Sequence, residues 1–496
     1  MLIQPQKRLS INIAALMILS LLVAAQEIGH LGIDTDPAPL VQAKRPVRRA
    51  SSPATTRPDR GGPPATSGSG NPSLASQPVP PVGGAVGNSF ADVMMRADAA
   101  SQAQKYPAAI EGYLKATSMK PDSVEARLGL AEAFLDSRRF QDAEREFRQV
   151  LSSNSAAAEA QRGLGDTLYE LRRYKDAVAA YGSSEQAGIK DAELYNNYAN
   201  ALYRTGTSEN RRRAIDAYRK AIALKPDWSS AYAGLANLLR SGRRGDPTVN
   251  LAEALTMATK AVELDSNSAL AHSILGRVYA DQKDFAKAQA EGERAVQLSP
   301  NDPFVYINLG GINFAQGRAA DAEKAYQKAI SLDKRWAFSY HSLGTLYLQQ
   351  GKLGEASTMF SQAVLFEPNS PTLRTSFGAA RARSGDYNEA INQIREALRI
   401  DPNYVAAHHN LGTIYAVQKN YPEAAKEFQQ AATLDPSNYD YFVALGDVYK
   451  LMGKKSESDA AYARAESLGW KSSGKEAGGK GSKDAEKDSG KKKKKN

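Results

Sequence analysis

Cysteine is absent from all 496 residues, which excludes disulfides, thiolate zinc sites, thiol nucleophiles and the lipidated cysteine of a bacterial lipoprotein. A chain without cysteine is also safe in an oxidising compartment. Histidine is scarce, with five in the whole chain. No phosphate loop, nucleophile elbow or His-Glu-x-x-His motif occurs. Carboxylates are plentiful but recur at a regular spacing, as on a solvated face rather than in a tuned acid–base pair. The chain therefore reads as non-catalytic, with no cofactor and no metal. Net charge is missing from the middle: eight basic against four acidic residues up to residue 89, and ten lysines against four acids from residue 471, account for the whole formal +10. The pI near 9.3 describes two tails, which argues against specific nucleic-acid binding.

The ends read differently from the middle. Lys7 and Arg8 precede an apolar run of 17 residues, Leu9 to Ala25, which marks an export signal. Val23-Ala24-Ala25 offers small residues for cleavage, and the run is just long enough to span a bilayer, so residues 1–25 are a signal peptide or a signal anchor. Positive charge held inside places the remainder outside the cytoplasm, periplasmic or anchored at the inner membrane through residues 9–25. Residues 26–89 are rich in Pro, Gly and Ser and read as a disordered linker. Residues 473–496 form a lysine-rich tail without aromatics, suited at most to weak polyanion contact.

Between them the sequence repeats. YVAAHHNLGTIYAVQKNYPEAAKEFQQAATLDPSN aligns with SPTLRTSFGAARARSGDYNEAINQIREALRIDPN 34 residues earlier, and FSYHSLGTLYLQQGKLGEASTMFSQAVLFEPN precedes both. Eleven such repeats start at Phe90, Val124, Ala158, Ala192, Ser229, Ala269, Pro303, Ala337, Pro371, Val405 and Tyr439 and fill residues 90–472. Position 8 is glycine or alanine, and position 20 is alanine in every repeat except the last, which has Ser458. The eleven prolines after residue 89 all fall in first helical turns, beyond helix ends or in an enlarged turn. This pattern resembles the tetratricopeptide repeat, a 34-residue helix-turn-helix. The resemblance implies an all-α, right-handed α-solenoid of about eleven repeats.

That frame absorbs the histidine pair in AAHHNLGTIYA. His408 is position 4 and His409 position 5, and the places a helical metal site would need hold Gly412 and Thr413. Two specialised kinds of protein carry this repeat, and the sequence departs from both. Glycosyltransferases of the protein O-linked N-acetylglucosamine type carry such an array, but an α/β catalytic domain follows theirs, whereas only a lysine tail follows here. The asparagine ladder at position 6 keeps only Asn197, Asn308 and Asn410. Co-chaperones clamp a carboxylate with lysines at positions 2 and 5, where this chain has none.

The expected function is a protein–protein interaction scaffold that binds an extended or helical partner segment in assembly of a cell-envelope secretion, pilus or polysaccharide complex. The alternatives are an array-bearing subunit of a glycosyltransferase lacking its own catalytic domain, and a polyanion-binding protein acting through its basic tails. Positions 2, 5, 9 and 12 share a helix face that should line the concave groove. That face holds Glu125, Glu132, Glu159, Asp166, Glu193, Asn200 and Asn237, then Leu270, Phe304, Ile307, Phe314, Phe338 and Leu348. It is expected to be acidic at one end and openly apolar in the middle. Repeats four and five carry three and six extra residues. Their turns should bring Arg211, Arg212, Arg213, Arg243 and Arg244 together as an anionic docking patch.

Overall fold

Each repeat folds locally for reasons its own residues supply. In the second repeat Ser123 starts α3 (Val124–Asp136) by accepting from the Ala126 N–H through its side chain. Such a cap satisfies one of the orphan donors of the first turn. Apolar side chains at helical spacing then bury Leu128, Ala131 and Leu135. Arg138 ends α3 by turning left-handed, with φ +63°, and the next residue, Arg139, donates its N–H back to the Phe134 carbonyl at 2.8 Å. That closes a Schellman turn and launches α4 (Phe140–Ser153).

The same left-handed residue recurs at position 15 in nine repeats. It is Gly317, Gly351, Gly385 or Gly453 in four of them, and Gln104, Arg138, Arg172, Lys283 or Lys419 in the others. A side chain there costs about 1–2 kcal/mol, so helix packing carries the turn where glycine does not.

The computed structural model describes residues 88–155, 157–205, 208–242 and 248–471. Among these residues 22 helices run from α1 (Phe90–Gln102) to α22 (Lys455–Ser467). Odd-numbered helices open a repeat and even-numbered helices close it. The opening helices begin at the eleven residues named from the sequence. Pro303 and Pro371 stand in the first turn of opening helices, and Pro107 and Pro422 in the first turn of closing helices. No helix among the described residues is long and apolar enough to cross a membrane. The expected membrane segment, residues 9–25, lies outside the described residues, as do the lysine tail and nearly all of the linker.

Small residues let the helices of a repeat touch. All ten alanines at position 20, from Ala109 to Ala424, are 0% exposed. A Cβ on Gly310 would come within 2.5 Å of the Tyr326 ring, and one on Gly446 within 2.7 Å of Tyr462. In five repeats glycine at position 8 is thus the seat of an aromatic at position 24. Phe147 and Phe360 at that position are fully buried, each contributing about 1.5–3 kcal/mol. The helices group into two compact bodies. One comprises the described residues up to Thr205 with Asn210–Ala231, and the other comprises Ser208, Glu209 and the described residues from Tyr232 onward.

Candidate interaction surface

In the N-terminal body the face carrying positions 2, 5, 9 and 12 keeps accessible carboxylates. Glu125 and Glu159 are exposed, whereas Glu132, Asp166 and Glu193 are half-buried. Asp166 is held by two neighbouring side chains. Tyr181 donates its hydroxyl to Asp166 Oδ1 at 2.7 Å, and Asn197 Nδ2 donates to the same oxygen at 3.0 Å. Tyr113 holds Asp98 at 2.6 Å in the first repeat, and in the last repeat Tyr462 holds Asp447 at 2.6 Å. A hydroxyl bonded to one carboxylate oxygen fixes the direction in which the carboxylate points. Burial pushes the Glu193 carboxyl above the ordinary range, Asp191 adding to the effect and Arg162 opposing it. Arg162 in turn bridges at 3.1 Å to Asp191, the N-cap of the next repeat's opening helix.

Asn200 is 3% exposed and accepts from the Tyr218 hydroxyl at 2.6 Å. It therefore supports the fold instead of facing a partner. Asn237, in the C-terminal body, is 2% exposed and accepts from Arg240 Nε at 3.0 Å. Arg240 also bridges to Asp281 at 2.9 Å.

The apolar half of the expected groove is different in kind. Phe304 and Phe338 are each 7% exposed, Ile307 2% and Leu348 1%. These four are core, which corrects the expectation of an open apolar face. Phe338 packs with Ile307 and Ala329 of the preceding repeat, and Trp336 flanks them. Leu348 packs against Phe360 and Ala380. The reason is the close approach set by glycine and alanine at the helix contacts, which brings neighbouring repeats near enough to cover a ring at position 2. Leu270 and Phe314 alone of the apolar set stay half-exposed.

The arginine patch is also altered. Arg211 is 8% exposed, and Arg213 donates to the Tyr198 hydroxyl and to Asn210. Arg212 is exposed, and Arg243 and Arg244 lie outside the described residues. His409 sits between the rings of Phe428 and Tyr441, with centroids 5.6 and 5.4 Å away, and His408 is tied to Glu427.

The Tyr–Asp pairs are the feature that reading for single positions missed. The signal was present in the sequence as Asp at position 9 together with Tyr at position 24 in repeats one, three and eleven.

Stacked helix-turn-helix repeats with an ordered polar face define a helical-repeat binding protein. Models described as tetratricopeptide repeat match residues 94–140, 131–192, 250–303 and 376–439, and a second such model matches 301–364. The chain belongs to the tetratricopeptide repeat family. No curated protein matches it. Among solved structures, yeast Tom70 is 16% identical with a TM-score of 0.42, covering 76% of this chain and 92% of that one. The APC/C hetero-tetramer Cut9–Hcn1 is 13% identical with a TM-score of 0.37, over 77% and 94%. IFIT1 with Gppp-AAAA is 16% identical with a TM-score of 0.42, over 70% and 90%.

Proposed function

We propose that this protein is a non-catalytic scaffold whose repeats two to four hold a basic, extended segment of a protein partner. The observation that carries this reading is the row of accessible carboxylates. Glu125 and Glu159 recur one repeat apart, and Asp166, about two turns beyond Glu159 on the same helix, is oriented by Tyr181 and Asn197. One repeat rises by roughly the length of a few extended residues, so a basic side chain every third or fourth position could meet successive carboxylates. Half-exposed Leu270 and Phe314 offer separate apolar contacts in the C-terminal body. The export-type start, with Lys7 and Arg8 before an apolar run to Ala25, supports a working place outside the cytoplasm, tethered or released, in assembly of a cell-envelope complex.

The test is cross-linked capture from a membrane fraction with the native chain and with a Glu125→Lys, Glu159→Lys variant. Reversal should lose the captured partner and its salt sensitivity while the melting temperature stays put, since both side chains are exposed. Undiminished capture by the variant would refute the acidic face as the binding surface.

A further inference from the structure

In seven repeats position 4 holds a hydrogen-bonding side chain that reaches back six residues to the carbonyl of the preceding turn. Gln161 Nε2 donates to Ser155 O at 3.1 Å, the Tyr306 hydroxyl to Pro300 O at 3.1 Å, and the Tyr340 hydroxyl to Lys334 O at 3.0 Å. In four repeats the same residue makes a second bond, 19 residues forward, to position 23 of the closing helix. Arg127 in α3 donates to Pro121 O at 3.0 Å and to Glu146 Oε2 at 2.9 Å. Arg374, in α17 (Pro371–Arg383), donates to Pro368 O at 2.7 Å and to Gln393 Oε1 at 3.0 Å. The other two are histidines. His272, in α11 (Ala269–Asp281), has Nδ1 2.5 Å from Glu291 Oε2 and Nε2 3.1 Å from Ser266 O. His408, in α19 (Val405–Val417), has Nδ1 2.6 Å from Glu427 Oε2 and Nε2 3.0 Å from Pro402 O.

The partner at position 23 follows the donor. It is Glu or Gln in those four repeats, and Ala180, Ala325 and Met359 where Gln161, Tyr306 and Tyr340 have a single bond to make. Arginine always carries enough protons for both acceptors. An imidazole facing a carboxylate on one nitrogen and a carbonyl on the other can donate to both only as imidazolium.

We propose that His408 is a proton-operated clip, closed when the ring is doubly protonated and half-released when it is neutral, so that repeat ten tightens towards acid and loosens towards alkali. Glu427 faces His408 from α20 (Tyr421–Leu434), and Asp401 faces it from the turn. Its neighbour His409 is turned away against Phe428 and Tyr441. Desolvation pulls the His408 imidazolium down, but the Glu427 bond, the Pro402 carbonyl and the charges of Glu427 and Asp401 outweigh it and hold the ring above the usual 6.5. A raised folded pKa means that this stabilisation is whole below pH 6.5 and is lost as pH rises through the folded value.

The chain itself supplies the test variants. His408→Arg installs the donor found in repeats two and nine and should keep the clip closed at every pH. His408→Tyr installs the one-proton donor of repeats seven and eight and should keep it half-released. Hydrogen exchange of residues 402–434, corrected for intrinsic rate, is followed from pH 6 to 9 in the full chain. Protection in wild type should fall several-fold over that range, starting at the level of the arginine variant and ending at that of the tyrosine variant. Either variant alone suffices should the other fail to fold. A wild-type profile as flat as that of the variants, or variants that track the wild type, would overturn the proposal. So would an NMR titration placing the folded His408 pKa at or below 6.5.

Discussion

Thr375 is 1% exposed, and its hydroxyl has no hydrogen-bond partner among the described residues. Stripping water from a hydroxyl without replacing its bond costs on the order of 1–3 kcal/mol. Thr375→Val keeps the shape and removes the group, so a gain of about 1 kcal/mol is expected, read as a higher urea midpoint at unchanged slope. A lower midpoint would mean that the hydroxyl is satisfied. His341, one repeat earlier, is 1% exposed, has Nε2 3.0 Å from Ser376 Oγ and lies against the Phe338 and Phe360 rings. Burial pushes its pKa down to about 4, so the folded chain holds it neutral while the unfolded chain protonates near 6.5. The sign is opposite to that of His408: stability is full above pH 6.5 and falls as pH drops towards 4, by on the order of 3 kcal/mol. His341→Gln should flatten the melting temperature between pH 6.5 and 4. A wild-type slope retained in that variant would assign the acid sensitivity elsewhere. The two histidine windows lie on opposite sides of pH 6.5, so neither masks the other.

At the scale of the element, what was legible in the sequence is what is decided within one repeat. Helix starts were readable because Ser123, Ser268, Ser370, Pro303 and Pro371 cap or open helices by their own local chemistry. The alanines at position 20 were readable because the closest contact within a helix pair admits nothing larger. The openness of position 2 was not readable. Phe304 and Phe338 occupy the same helix face as exposed Glu125 and Glu159, and what separates them is how much of the ring the preceding repeat covers. Helical periodicity gives the direction of a side chain but not the distance to the next element. The position-4 clips fall between these cases, because their geometry is local to one repeat but shows only when positions 4 and 23 are read as a pair. Ser458 is the one departure from alanine at position 20. It is 3% exposed and donates its hydroxyl to Gly446 O at 2.9 Å, so it fills the same seat with its polar atom satisfied.

For the molecule as a whole, an array of repeats is stabilised by its intrinsic units and their nearest-neighbour interfaces, so an end needs a surface that water accepts. The division between the two bodies falls at repeats four and five, the two lengthened by three and six residues. The last repeat supplies the terminal surface by composition. Along α22, Lys455, Glu457, Asp459, Arg464 and Glu466 are exposed, while Ala461 and Ala465 are buried inward. Its opening helix, α21 (Tyr439–Leu451), covers the preceding repeat: Leu445 and Val448 share a core with Phe428 and Ala425, and Tyr441 packs with Ala431 and Ala432. Deleting residues 439–472 would bare that apolar surface, and bared apolar surface of this kind drives association. The truncated chain should therefore elute as higher oligomers or precipitate at concentrations where the full chain stays dispersed, while its circular dichroism keeps the helical signature of the remaining repeats. Light scattering after size exclusion checks this. A truncated chain as monodisperse as the full one would show that repeat ten ends the array unaided and that α21 and α22 are not a cap.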